Sequence, residues 1–314
     1  MLKIAYICKN YAIAMKSNIF ILPVIITFAA WLGVLAACTA PAHDRPIVTV
    51  SIEPQKYLLE QITGDRVEVR TLIANGANPE TFDPTVNHIM NLTKSIGFLR
   101  MGNIGFEAAI LDKVHGEHPD LPIFNTSLGV VPVTGTHSHG GVTHDVIDPH
   151  TWTSVKNVKI IAGNMFNAMT KIDPDNSEYY RRNYEQFAAR LDSLDTAIAS
   201  KLAPHRGEAF MVWHPSLSYF ARDYGLEQIP AGNADNKEVA MGALKDVIDH
   251  AAEHDVKIFF YQKDLDSRQA EALGSQLDVE KVNINPLAYD WEKEITAIAD
   301  AIAATADSTK ESKH

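Results

Sequence analysis

The chain has 314 residues and carries 39 acidic against 28 basic side chains, a formal charge of −11. That acidic balance excludes nucleic acid as a partner and mildly favours cations. Cys8 and Cys38 are the only cysteines; the first is expected to be discarded with a leader, so no disulfide framework is possible, and the chain is long enough to fill one large or two medium cores without one.

Residues 1–37 contain Lys3, Lys9 and Lys16 with no acidic residue, then an apolar run from Ile19 to Leu35 that ends in Leu35-Ala36-Ala37-Cys38. This pattern predicts a secretory leader. Its ending resembles the bacterial lipobox, in which the cysteine is diacylated before cleavage, so Cys38 is the expected lipidation site. A start at Met15 rather than Met1 gives a leader of more usual length. Residues 38–46 read as a tether, and lipid chains then hold the mature chain on a membrane surface, periplasmic or cell-surface, without a span.

Ile47–Ile52 reads as a strand, and Pro54 in a first helical turn opens a helix that Gly64 closes. Strand candidates follow at Val67–Ile73, Ile96–Met101 and Pro122–Asn125, with helices around Thr85–Thr93 and Phe106–His115. Alternation of this kind predicts a parallel sheet flanked by helices, an N-terminal lobe over residues 47–173. Val155, Val158, Ile161, Ala162, Met165 and Met169 share one helical face until Asp173-Pro174 breaks it. Residues 174–202 form a second, unusually long helix striped by Tyr180, Tyr184, Phe187, Leu191, Leu194 and Ile198, read as a rigid connector. The rhythm returns across 203–306. Strands Ala209–Trp213, Leu226–Ile229, Lys257–Gln262 and Lys281–Ile284 alternate with helices Ser216–Tyr224, Val239–Glu253, Arg268–Leu277 and Trp291–Ala304. Residues 307–314 read as a frayed polar tail. The fold class is α/β: two lobes, each a mainly parallel sheet flanked by helices, joined by one long helix, with a ligand cleft where loops leave the strand ends.

The densest chemistry lies in residues 136–144, where His137, His139 and His144 stand among Gly, Ser and Thr. Imidazole suits Zn²⁺ and neighbouring transition ions, and the composition predicts a flexible loop that gathers ions by weak contacts. Three further stretches put a donor beside a predicted strand end: Gly76–Pro84 with Glu80 and Asp83, Asp148-Pro149-His150-Thr151-Trp152, and Trp213-His214-Pro215. Taken singly, Glu80 reads equally well as a solvated acid and His214 as a satisfied core histidine; together the three point to a metal. His88, His115, His118, His250 and His254 lie on or near the ends of predicted helices and are read as structural.

The ordered set resembles the metal-binding solute-receptor lipoproteins of bacterial ABC transporters, the family of the zinc-uptake and manganese-uptake binding proteins. The resemblance runs from Ile47 to about Ala304 and rests on the Asp-Pro-His-x-Trp motif, the His-rich loop, the long helix, His214 with Tyr219-Phe220, and Asn285-Pro286-Leu287. It implies that His150 and His214 are metal ligands and that Glu80 stands where relatives carry a histidine. A carboxylate there makes the site harder and more negative. The family's acidic position in the last turn is Asn285 here, and the preceding strand-end acid is Gln262. The fourth ligand is therefore open among Asn285, Asp290 and a water. The resemblance also implies a monomer that works with a permease and its ATPase.

That function makes and breaks no bond, so the chain is expected not to be an enzyme. The enzymatic rival is a zinc hydrolase, but the chain has no His-Glu-x-x-His helix and no second carboxylate in a catalytic frame. An adhesive role would leave three donors in three loops as coincidence, and the His loop argues against haem, a siderophore or a cobalamin. Among metals the loop favours Zn²⁺, with Mn²⁺ or Fe²⁺ as the alternatives that two nitrogens and a carboxylate allow.

Overall fold

The computed structural model describes residues 45–73, 77–139, 142–232, 241–262, 268–277 and 279–311. The leader and Cys38 lie outside the described residues. Strand β1 (Ile47–Val50) pairs in parallel with β2 (Glu68–Thr71) and β3 (Gly97–Arg100), and β3 with β4 (Ile123–Asn125), giving the order β2-β1-β3-β4. Val48, Thr49 and Val50 are all buried, as a parallel strand covered by helices on both faces must be. Helix α1 (Glu53–Thr63) opens on Pro54 and stops at Gly64, whose φ of 55° is left-handed. Tyr179 packs so closely against Gly64 that a side chain there would collide. Helices α2 (Val86–Leu92) and α3 (Gly105–Glu117) complete this half.

After β4 the chain forms an antiparallel ribbon, β5 (Thr134–His139) and β6 (Val142–Ile147), in which His137 stands opposite His144 and His139 opposite Val142. The segment expected from its composition to be a loop is thus paired strand over most of its length. Thr134, Thr136, Val142, Val146 and Ile147 are β-branched, and the strands are separated by Gly140-Gly141, a two-residue hairpin signal.

Helix α4 (Val155–Ile172) starts where the Ser154 hydroxyl accepts the Asn157 amide at 3.1 Å. A 3₁₀ turn over Pro174–Asn176 leads into α5 (Ser177–Leu202), which buries Tyr180, Phe187, Leu191, Ile198 and Leu202. The second sheet contains β7 (Ala209–Val212), β8 (Glu227–Pro230), β9 (Ile258–Tyr261) and β10 (Glu280–Asn283), all parallel, in the order β10-β9-β7-β8. Each sheet thus sets its second strand outside its first and then runs first, third, fourth. Helices α6 (Ser218–Tyr224), α7 (Met241–Glu253), α8 (Arg268–Gln276) and α9 (Trp291–Glu311) complete the chain. Helix α9 runs on to Glu311, so most of the segment read as a frayed tail is helical. Ala303, Ala304 and Ala306 favour helix, and no Gly or Pro stops it.

Helix α5 packs on α1, α4 and α9. One apolar core therefore runs from Val48 and Leu58 through Phe187 and Leu191 to Phe210, Phe260 and Ile298. A second cluster around Met211, Trp213, Leu244 and Phe259 fills the outer face of the C-terminal sheet. Among the described residues no helix is long and apolar enough to cross a membrane.

Candidate metal centre

Glu80 and His214 sit in segments that follow the carboxyl ends of β2 and β7, where α/β sheets commonly bind ligands, and His150 follows the antiparallel ribbon. Glu80 lies in a turn after β2, held by its amide donating to Asn78 Oδ1 at 2.8 Å. His150 begins the turn before α4, and its carbonyl accepts from the Thr153 amide at 3.1 Å and hydroxyl at 2.9 Å. His214 leaves the end of β7, where Trp213 N–H donates to Phe260 and Ser216 N–H to the His214 carbonyl, at 2.9 and 2.7 Å.

These folds bring three donor atoms together. His150 Nε2 and His214 Nε2 are 3.2 Å apart, and Glu80 Oε1 lies 3.7 Å from the first and 3.6 Å from the second. A tetrahedral ion with bonds near 2.0–2.1 Å spaces its ligands by about 3.3–3.4 Å, so the triangle has the dimensions of one face of such a shell. Both histidines are 6% exposed. The Glu80 side chain is 18% exposed and forms the solvent-facing edge.

Asp148 fixes the His150 ring. Its Oδ1 accepts from His150 Nδ1 at 2.7 Å and from the His150 amide at 2.8 Å, leaving the Nε2 lone pair aimed into the triangle. Tyr219 steadies the same turn, its hydroxyl donating to the Asp148 carbonyl at 2.8 Å and accepting from Val133 N–H at 3.2 Å. The indole of Trp152 donates to the Pro286 carbonyl, and that of Trp291 to the Trp152 carbonyl, both at 2.8 Å, which ties the His150 turn to the C-terminal half. The His214 ring has no such clamp: its buried Nδ1 meets no protein partner among the described residues. It is set edge-on to His150, with centroids 5.1 Å apart.

The charges divide accordingly. Burial opposes a proton on His150, but Asp148 and then Glu80 outweigh it and raise its pKa. Burial, joined by the neighbouring His150, pushes His214 down to about 3. Burial opposes the Asp148 anion, yet His150 more than compensates and its pKa is lowered. A cation entering the triangle takes the neutral form of both imidazoles, so metal binding competes with protons at this site.

A cavity of about 20 Å³ adjoins the histidines, bordered by Asn78, Trp152, Ser216, Gln262 and Leu287. It has room for one small ion or water. The structure does not bring Asn285 into this group. Its side chain is exposed, its Oδ1 accepts from Leu287 N–H at 3.1 Å, and its amide donates to Glu294 at 2.6 Å, so its carbonyl serves its own turn. Asp290 is exposed as well. Gln262, buried at the end of β9, borders the cavity instead. His137, His139 and His144 are placed by backbone register in the β5–β6 ribbon. Sequence reasoning passed over Asn78, whose one signal was its position two residues before Glu80, the spacing of an Asx turn. His88 is structural as expected, its Nδ1 accepting the Thr85 amide at 3.0 Å.

A family model described as zinc-uptake complex component A, periplasmic, matches residues 48–309. The high-affinity zinc uptake system protein ZnuA of Bacillus subtilis (strain 168) is 27% identical over 253 residues, 78% of this chain and 79% of that protein. A crystal structure of ZnuA has a TM-score of 0.75 at 32% identity and covers 83% of this chain and 99% of its own. FpvC of Pseudomonas aeruginosa, solved in complex with Mn²⁺, shares the fold with a TM-score of 0.74 at 23% identity, covering 84% and 99%.

Proposed function

The chain belongs to the periplasmic zinc-uptake component A family, and on that premise we propose that it captures a divalent transition metal through Glu80, His150 and His214 and delivers it to an ABC permease and its ATPase. Zn²⁺ is the first cargo, with Mn²⁺ and Fe²⁺ the alternatives that the Glu80 carboxylate admits. The observation that carries the reading is the triangle of donor atoms, 3.2, 3.6 and 3.7 Å on its sides, built from three separate loops. Two neutral nitrogens and one carboxylate hold the ion, and a fourth position faces the cavity beside Gln262. Asp148 orients His150 and contributes a second negative charge behind its ring, through the Nδ1 hydrogen bond. No bond is made or broken in the cargo, so the chain acts as a receptor and not as a hydrolase. Cys38 is the lipid anchor, which places the receptor outside the cytoplasmic membrane beside its permease.

Calorimetry with Zn²⁺ tests the assignment. The intact protein should bind one ion tightly, and the doubly substituted His150→Ala, His214→Ala protein should lose that phase. Tight binding that survives both changes overturns the site.

A further inference from the structure

The described residues contain a second group of metal-compatible donors, at the opposite end of the C-terminal sheet from the first: Glu227, His250 and His254. His250 lies in the last turn of α7 and His254 one turn further on, so the i, i+4 spacing sets both imidazoles on one face. Their rings are 4.3 Å apart, centroid to centroid, at 68°. Glu227 opens β8 alongside, with Oε2 4.0 Å from His254 Nε2. One ligand atom from each residue lies within 4.8 Å of the others.

An exposed pair of histidines near a carboxylate is often no more than a solvated cluster. Two features distinguish this one. His254 Nδ1 donates to the His250 carbonyl at 3.0 Å, which fixes the tautomer and leaves the Nε2 lone pair facing Glu227, the arrangement a ligating imidazole needs. The cluster also stands at the carboxyl end of α7, whose last carbonyls favour a cation. His254 further borders a cavity of about 330 Å³ at the amino ends of the strands, which leaves space for water on a coordinated ion.

We propose that Glu227, His250 and His254 form a second, solvent-open site for Zn²⁺ or another imidazole-preferring divalent ion. The donor set equals that of the interlobe site, but exposure makes it weaker, and exposed Glu227 closes the remaining distance by rotation of its side chain. A site of this kind holds an ion independently of the buried one, so its existence does not depend on what Glu80, His150 and His214 bind.

The test uses the chain with Thr136–Thr143 deleted and His144→Ala added, so that the histidines of the ribbon no longer contribute, and follows Zn²⁺ binding by calorimetry. We expect a weaker second event beside the tight one. His254→Ala and, separately, His250→Ala should each weaken that event at least tenfold and leave the tight event unchanged. In a chain that also carries His150→Ala and His214→Ala, the weaker event should remain. Absence of a second event in the parent, or its persistence in both single variants, overturns the proposal.

Discussion

At the scale of single residues, the site is asymmetric in how its ligands are held. Asp148 grips His150 by two hydrogen bonds at 2.7 and 2.8 Å, while no protein group among the described residues pairs with the His214 Nδ1. Asp148→Asn keeps an acceptor but removes a charge, so affinity for Zn²⁺ should fall about 10–100-fold in a competition titration. Unchanged affinity would show that the carboxylate only fixes geometry. Glu80 is the anionic corner of the triangle. Glu80→His gives three nitrogens, and because Zn²⁺ favours imidazole while Mn²⁺ favours oxygen, the ratio of the two affinities should widen towards Zn²⁺. A ratio that does not move would detach Glu80 from the ion and turn attention to Asp83. His150, His214 and Glu80 were legible because each stands beside a strand end in a distinctive loop. Motif position does not reveal that the Asn285 side-chain carbonyl accepts from Leu287 N–H, which sets it apart from the three clustered donors. Glu227 was invisible as a partner of His250 and His254, since only the sheet brings β8 to the end of α7.

At the scale of elements, the hydrophobic period was enough to locate both parallel sheets and the helices that cover them. The antiparallel ribbon escaped because its histidines drew a compositional reading, although β-branched residues flank Gly140-Gly141 as in a two-residue hairpin. Helix α9 outruns its expected end for a related reason: the polar composition of residues 307–314 suggests a frayed tail, whereas a helix already nucleated by Trp291, Ile295 and Ile298 extends at little cost. The ribbon is joined to the site at its base. Asp148 N–H donates to the Val133 carbonyl at 2.9 Å, and Val133 N–H to the Tyr219 hydroxyl, both outside the span from Thr136 to Thr143. Deleting that span should therefore leave tight Zn²⁺ binding nearly intact and remove the weak binding due to His137 and His139, as read by calorimetric stoichiometry. Loss of the tight phase would make one of those two histidines a primary ligand.

At the scale of the whole molecule, the two halves are not beads on a rod. The long helix α5 was legible as a connector from its length, but its role as a brace depends on α9 returning across the chain to pack against it, which no local pattern discloses. Arg190 on α5 donates to Glu292 on α9 at 2.9 Å, and Asn183 to the Ile62 carbonyl at the end of α1 at 3.0 Å. Trp152 is the equivalent tie behind His150. Trp152→Phe strands the Pro286 carbonyl and leaves a void, which should cost about 2–4 kcal/mol in urea unfolding of the metal-free protein. It should weaken metal binding too, because the turn that presents His150 loses its anchor; a destabilised variant with full affinity would separate the two roles. A receptor whose halves share one core cannot announce its load by folding shut like a jaw. X-ray scattering of empty and loaded protein should then give nearly the same radius of gyration. A transporter that must ignore empty receptors would have to sense what does change, the electrostatic potential over the mouth beside Glu80, where the arrival of a dication turns an acidic rim towards positive.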